Sequence, residues 1–140
     1  MALLGTLSGF RAYALARGDN APTAASDVAA TAALMRGSDM IRLRYVANLC
    51  GYDITSIPAG SDIPIVEEAA YIAASLELTT PGFFSKTYTG AESKVLTEVK
   101  GIKWTVVGKS EGAYAYMPSS SLIDALFGPY MCCGPAIMVV

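Results

Sequence analysis

Apolar positions recur along this chain with two different periods. From Ser26 to about Leu49, the residues Ala30, Leu34, Gly37, Ile41 and Tyr45 return at three- and four-residue steps, the spacing that lines one face of a helix. Arg36, Asp39 and Arg44 fall away from that stripe. Ser26 or Asp27 supplies the cap and Gly51 the stop. A second helix of the same kind is expected over 62–78, with Val66, Ala69, Ala70, Ala73 and Leu76 as its inner face. Ser61 or Asp62 caps it, Pro64 is tolerated in its first turn, and Glu67 and Glu68 sit near the positive end of its dipole. The small residues on both stripes predict that these two helices lie tightly together and form the core.

Shorter elements flank the pair. Leu7 to Gly18 reads as a helix over 8–18, with Ser8 accepting backbone N–H bonds at its start and Gly18 free to take positive φ at its end. Asp19 to Ala25, with Asn20 and Pro22, reads as a loop. Cys50 to Ser61 mixes Pro58 and Gly60 with Tyr52, Ile54 and Ile57, which predicts an ordered loop packed on the domain. Over 94–107 the period changes to two, and β-branched residues and Trp104 are enriched, so a β-hairpin turning near Lys100-Gly101 is expected. A last helix over 119–127 ends at Gly128-Pro129. The fold class is α+β, mainly α, with one domain over 1–130 and an extended tail over 131–140.

Composition narrows the chemistry. Of the 140 residues 53% are apolar, and 22 alanines make up much of that share, which fits close helix packing rather than a membrane span. The longest uncharged run, Ala125 to Val140, is broken by Gly128-Pro129 and Gly134-Pro135, and no membrane partner is expected. Met1 to Phe10 has no basic residue before its apolar stretch, so no targeting segment is expected. The chain has no histidine, which removes Ser/His and Cys/His nucleophile pairs and histidine-ligated zinc. Ten basic and twelve acidic residues give a net charge of −2, without the basic footprint of a dedicated nucleic-acid binder.

The clusters that remain have plain structural explanations. Glu67 and Glu68 diverge around a helix and do not face one site. Ser119, Ser120 and Ser121 have no base beside them and read as a helix cap. Cys50, Cys132 and Cys133 match neither a disulfide framework nor a metal-ligand spacing. No phosphate-binding glycine motif occurs. No catalytic, cofactor or metal site is expected, and the chain is read as not an enzyme. Lys100 and Lys103 with Tyr88 and Trp104 would suit a single-strand stacking platform, but a solvated sheet face with one core tryptophan explains them as well. The tail carries a stronger signal. Met131 to Val140 has no charge and ends Ile137-Met138-Val139-Val140, an apolar segment that implies a partner. Burying such side chains contributes roughly 1.5–3 kcal/mol each.

The order of elements is itself informative. A short helix stops at Ala16-Arg17-Gly18, a long helix carries Ile41-Arg42-Leu43-Arg44-Tyr45, and Ile63-Pro64 enters an alanine-rich helix. A Lys/Glu-rich hairpin follows, and then a closing segment, Ser121-Leu-Ile-Asp-Ala-Leu-Phe-Gly-Pro-Tyr130. Over Leu7 to Tyr130 the chain resembles the head–tail adaptor (connector) proteins of tailed bacteriophages, including the group called DnaT-like single-stranded DNA-binding proteins. It departs from them in the loop from Cys50 to Ser61, which lacks their Trp-Pro-Arg pattern, and in its apolar tail.

The resemblance implies a helical bundle with a protruding hairpin, assembled as a homo-oligomeric ring, commonly of twelve subunits. The ring lies beneath the portal in the virion neck, joins portal to tail or nozzle protein, and lets DNA pass non-specifically through its lumen. Trp104, Phe127 and Tyr130 are then expected as interface anchors, since large aromatics tend to carry interface energy. Lys100 and Lys103 lie on the hairpin, which faces an axial partner, and Met131 with Ile137 to Val140 belongs to the segment that clips onto the portal or a neighbour. The alternative is a single-stranded DNA-binding module, whose affinity would fall steeply with salt.

Overall fold

The computed structural model describes residues 3–49, 64–85, 98–99, 102–103 and 118–131, and over these the protein is mainly helical. In chain order the elements are α1 (Leu7–Ala16), α2 (Ala21–Ala24), α3 (Asp27–Arg44), α4 (Pro64–Thr79) and α5 (Ser121–Phe127). Single 3₁₀ turns follow α3 at Val46–Asn48 and α5 at Gly128–Tyr130. Glu98–Val99 (β1) and Ile102–Lys103 (β2) pair antiparallel, Glu98 opposite Lys103 and Val99 opposite Ile102. The remainder of the expected hairpin, the Cys50 to Ser61 loop and the segment from Cys132 onward lie outside the described residues.

Local chemistry sets the helix ends. Ser26 has an extended backbone and its hydroxyl accepts from the Ala29 N–H at 3.2 Å, satisfying a donor that the first turn of α3 leaves open. At α1 the expected cap moves. Thr6, not Ser8, is extended and accepts from the Gly9 N–H at 3.1 Å, while Ser8 sits inside the first turn with its hydroxyl against that of Thr6. Gly18 takes φ +80°, and the Asp19 N–H turns back to the Ala14 carbonyl at 2.9 Å. The loop expected over 19–25 contains the single helical turn α2, with Pro22 in its first positions. α3 ends at Arg44, five residues before the expected Leu49, because the chain tightens into the 3₁₀ turn.

Packing centres on α3 against α4. The expected stripes face inward: Ala30, Leu34, Ile41 and Tyr45 from α3 and its end, and Val66, Ala69, Ala70 and Ala73 from α4, are buried, while Leu76, expected with them, is only partly buried. Gly37 marks the tightest approach. A Cβ placed there would lie 2.7 Å from the Ala74 nitrogen and 3.0 Å from the Ala70 carbonyl oxygen, so only a hydrogen side chain fits between the two backbones. At the next residue, the buried Ser38 hydroxyl donates to the Leu34 carbonyl at 2.7 Å and accepts from the Leu4 N–H at 3.0 Å. The N-terminal residues are thereby fixed to α3.

The other helices attach at different points along this pair. Phe10 of α1 is fully buried and stacks with Tyr71 of α4, and Tyr71 also packs against Tyr13. Arg11 donates to the Pro22 and Ala25 carbonyls at 2.9 and 3.0 Å, which holds α2 and the start of α3 to α1. At the C-terminal end of α3, Phe127 of α5 stacks on Tyr45 with ring centroids 4.8 Å apart, and the Tyr45 hydroxyl donates to the Asp124 carboxylate. Arg44 donates to the Pro118 carbonyl at 3.0 Å. Met131, expected to open a tail with no core to join, is half-buried against the core and pairs antiparallel with Leu49.

Replacing Gly37 by alanine tests the close approach. Helix propensity favours the change by about 1 kcal/mol, while overpacking against backbone costs roughly 1–3 kcal/mol. Thermal denaturation of Gly37→Ala should show a lower Tm, and an unchanged or higher Tm would mean the two backbones are not in contact there.

Candidate interaction surface

α3 carries a second stripe besides its buried one. Arg36, Asp39, Met40, Leu43 and Arg44 follow the three- and four-residue rhythm and turn one wall toward the end of α4. The opposite wall is made by the turn after α4, which places Phe84 and Ser85. Between them lies a cleft of about 310 Å³ with Met40, Leu43 and Phe84 as its apolar lining. Leu43 is 53% exposed at its edge.

Glu77 builds this cleft from beneath. Its side chain is 1% exposed, and the carboxylate accepts from the Gly82 N–H at 2.9 Å, the Phe84 N–H at 3.0 Å and Arg36 Nε at 2.9 Å. A buried carboxylate is tolerated only when paired and hydrogen-bonded, and here both conditions are met. The turn exists because those two N–H groups close on Glu77, with Gly82 at φ +81°. Arg36 Nη2 adds a long contact to the Glu77 carbonyl at 3.5 Å, so the guanidinium stands in fixed orientation at the mouth of the cleft. Asp39 also lines the cleft, and its buried Oδ1 has no hydrogen-bond partner among the described residues. Arg42, next along α3, is buried, which lowers its pKa against the opposing effect of Asp39.

A second, shallower groove of about 260 Å³ runs between α1, α4 and α5, lined by Tyr13, Ala14, Ile72, Leu76 and Leu122. Its rim is stapled shut at one end. The Tyr13 hydroxyl donates to Glu68 at 3.0 Å, Arg17 Nη2 donates to the same oxygen at 2.9 Å, and the Arg17 guanidinium lies 3.5 Å over the Tyr13 ring. Burial, and then the hydrogen bond and charge of Glu68, push the Tyr13 phenol up to about 12. The Tyr45 phenol is likewise pushed up, by burial first and Asp124 second.

The residues expected at interfaces divide clearly. Tyr130 is exposed, whereas Phe127 is a core residue with no surface to offer. Met131 is half-buried within the chain. Lys103 lies in β2 opposite Glu98. Lys100, Trp104, Ile137, Met138, Val139 and Val140 lie outside the described residues. Sequence reasoning overlooked Glu77 and the cleft stripe on α3. The repeat 36, 39, 40, 43, 44 was the available signal, hidden because three of its five members are charged. Among the described residues no group of three or more His, Cys, Asp or Glu is placed to hold a metal ion, and no helix is long and apolar enough to cross a membrane.

Two measurements check these contacts. Glu77→Ala strands the Gly82 and Phe84 N–H groups at roughly 1–3 kcal/mol per buried donor, and its urea midpoint should fall well below that of Glu77→Gln, which removes the charge facing Arg36 but keeps a side-chain oxygen to accept from one of them. Equal losses in both variants would assign the turn to the ion pair instead. The Tyr13 phenol titrates near 10.0 when unfolded and about 12 when folded, so its contribution to stability is full below pH 10 and disappears as the pH rises to 12. Tyr13→Phe should flatten that part of the alkaline stability profile, and an unchanged slope would refute the assignment. No family model matches the chain, and neither a curated protein nor a solved structure matches it.

Proposed function

We propose that this chain is a structural subunit of the virion neck of a tailed bacteriophage, a head–tail adaptor that assembles with copies of itself into a ring. In this reading the ring, of about twelve subunits, joins the portal to the tail or nozzle protein and leaves a lumen for DNA. Its work is done by packing surfaces, not by reactive groups. The helical pair α3–α4 is the body of the subunit, the segment around β1 and β2 projects as a hairpin toward an axial partner, and the segment after Met131 clips onto the portal or a neighbour.

One observation supports the reading best. Two of the motifs that carry the resemblance, Ile41 to Tyr45 and Ser121 to Tyr130, lie far apart in sequence yet form one joint in the fold. Tyr45 stacks on Phe127 and bonds Asp124, and Arg44 bonds Pro118. A shared motif pair that meets in space constrains a common way of closing the bundle, which spacing alone does not. Exposed Leu43, Leu122 and Tyr130 near this joint give the body apolar surface to offer partners.

Native mass spectrometry and particle imaging of the full chain, alone and mixed with the portal of its virus, should show closed rings. A protein that stays monomeric under both conditions refutes the adaptor reading. If the monomer also bound single-stranded DNA tightly, with affinity falling steeply as salt rises, a DNA-binding module would take its place.

A further inference from the structure

The cleft on the C-terminal half of α3 has a counterpart at the other end of the same helix. Val28, in the first turn of α3, is 81% exposed, the most exposed of the large apolar side chains described, and exposed Ala24 and Ala29 surround it. Beside it Asp27 is exposed, and Arg11 Nη2 contacts only its Oδ1, at 2.8 Å. The backbone N–H groups of this first turn have no helical acceptors, apart from that of Ala29, which Ser26 caps. The end of α3 thus presents an apolar knob, a carboxylate and open N–H donors together.

The cleft offers the complement of the knob and of the carboxylate. Met40, Leu43 and Phe84 make an apolar recess for a valine side chain. Arg36 stands at its mouth, 40% exposed, with Nε and Nη2 turned to Glu77 and Nη1 making no hydrogen bond among the described residues. Val28 and Leu43 are about 22 Å apart along α3 at 1.5 Å per residue. Knob and cleft therefore do not overlap, and one subunit can use both at once.

We propose that a second copy of this chain occupies the cleft, inserting Val28 between Met40, Leu43 and Phe84. Its Asp27 meets Arg36. The contact is heterologous, knob to cleft, so each subunit that receives one neighbour still presents a knob to the next, and repetition closes a ring or extends a filament. This rests on the ring reading above and specifies the contact within it.

The test uses the full chain with Val28→Asp, which spoils the knob, and Leu43→Asp, which spoils the cleft. Both positions are solvent-facing, and circular dichroism should show the parental helix content. Under conditions where the parent forms rings, each variant alone should run as a monomer by native mass spectrometry. An equimolar mixture should form a one-to-one complex and nothing larger, because one intact knob meets one intact cleft. Leu15→Asp, at an exposed apolar position outside the contact, should leave the rings intact. Rings that survive Val28→Asp or Leu43→Asp, or two dispersed variants that fail to pair on mixing, overturn the contact while the adaptor reading stands. A parent that never assembles overturns both.

Discussion

At Gly37 the backbone of α3 touches the backbone of α4 at Ala70 and Ala74, with no side chain between them. That approach sets the geometry of everything attached to the pair. It brings Ala30 and Leu34 down onto Tyr71 and Ala74, making the cluster that receives Phe10 of α1. Farther along α3 it brings Ile41 and Tyr45 to Val66, Ala69 and Ala73, making the larger cluster that receives Ile123 and Phe127 of α5. Dispersion forces weaken steeply with separation, so a pair of alanine-lined helices is cohesive only at short range. The many alanines in this chain are useful because a glycine lets the backbones close on them.

Polar groups then secure what the close approach positions. Ser38 holds the N-terminal residues, Arg11 holds α2, the Tyr13–Arg17–Glu68 group holds α1 to α4, and Tyr45 with Asp124 holds α5. Each of these side chains bonds to a different element, so helices too short to be stable alone are kept in place by tertiary contacts. Glu77 acts within a shorter span, folding the chain back immediately after α4. The cleft on α3 is a consequence of that turn.

How much of this could be read from the sequence depended on whether a residue acted through its periodicity or through its partner. The buried stripes of α3 and α4 were legible because apolar burial follows the helical repeat, and Gly37 stood out as a glycine within such a stripe. Ser26 and Gly18 were legible because capping and positive φ are local. The α1 cap was not, since Thr6 and Ser8 both satisfy the local pattern and the difference lies in which backbone is extended. Glu77 and Arg42 were missed for a deeper reason. A charged residue is read as solvent-facing unless its partner is known, and the partners of Glu77 are N–H groups in a turn that exists only because Glu77 is buried. Phe127 was misplaced by the same logic reversed, as an aromatic near the chain's end whose stacking partner, Tyr45, lies 82 positions earlier. The cleft and the knob at Val28 were not legible, because both depend on how the described helices and turns pack against one another.

The pairing of Met131 with Leu49 has a mechanical meaning. Leu49 follows directly from α3 through the 3₁₀ turn, and Met131 follows directly from α5, so the bridge joins the exits of two helices that share the Tyr45–Phe127 stack. Tension applied to the chain beyond Met131 is carried first by this bridge and the stack, and through them by α3 and its close partner α4. Short α5 is spared the whole load. The described body thus has a defined path along which a pull at that point spreads into its most tightly packed region.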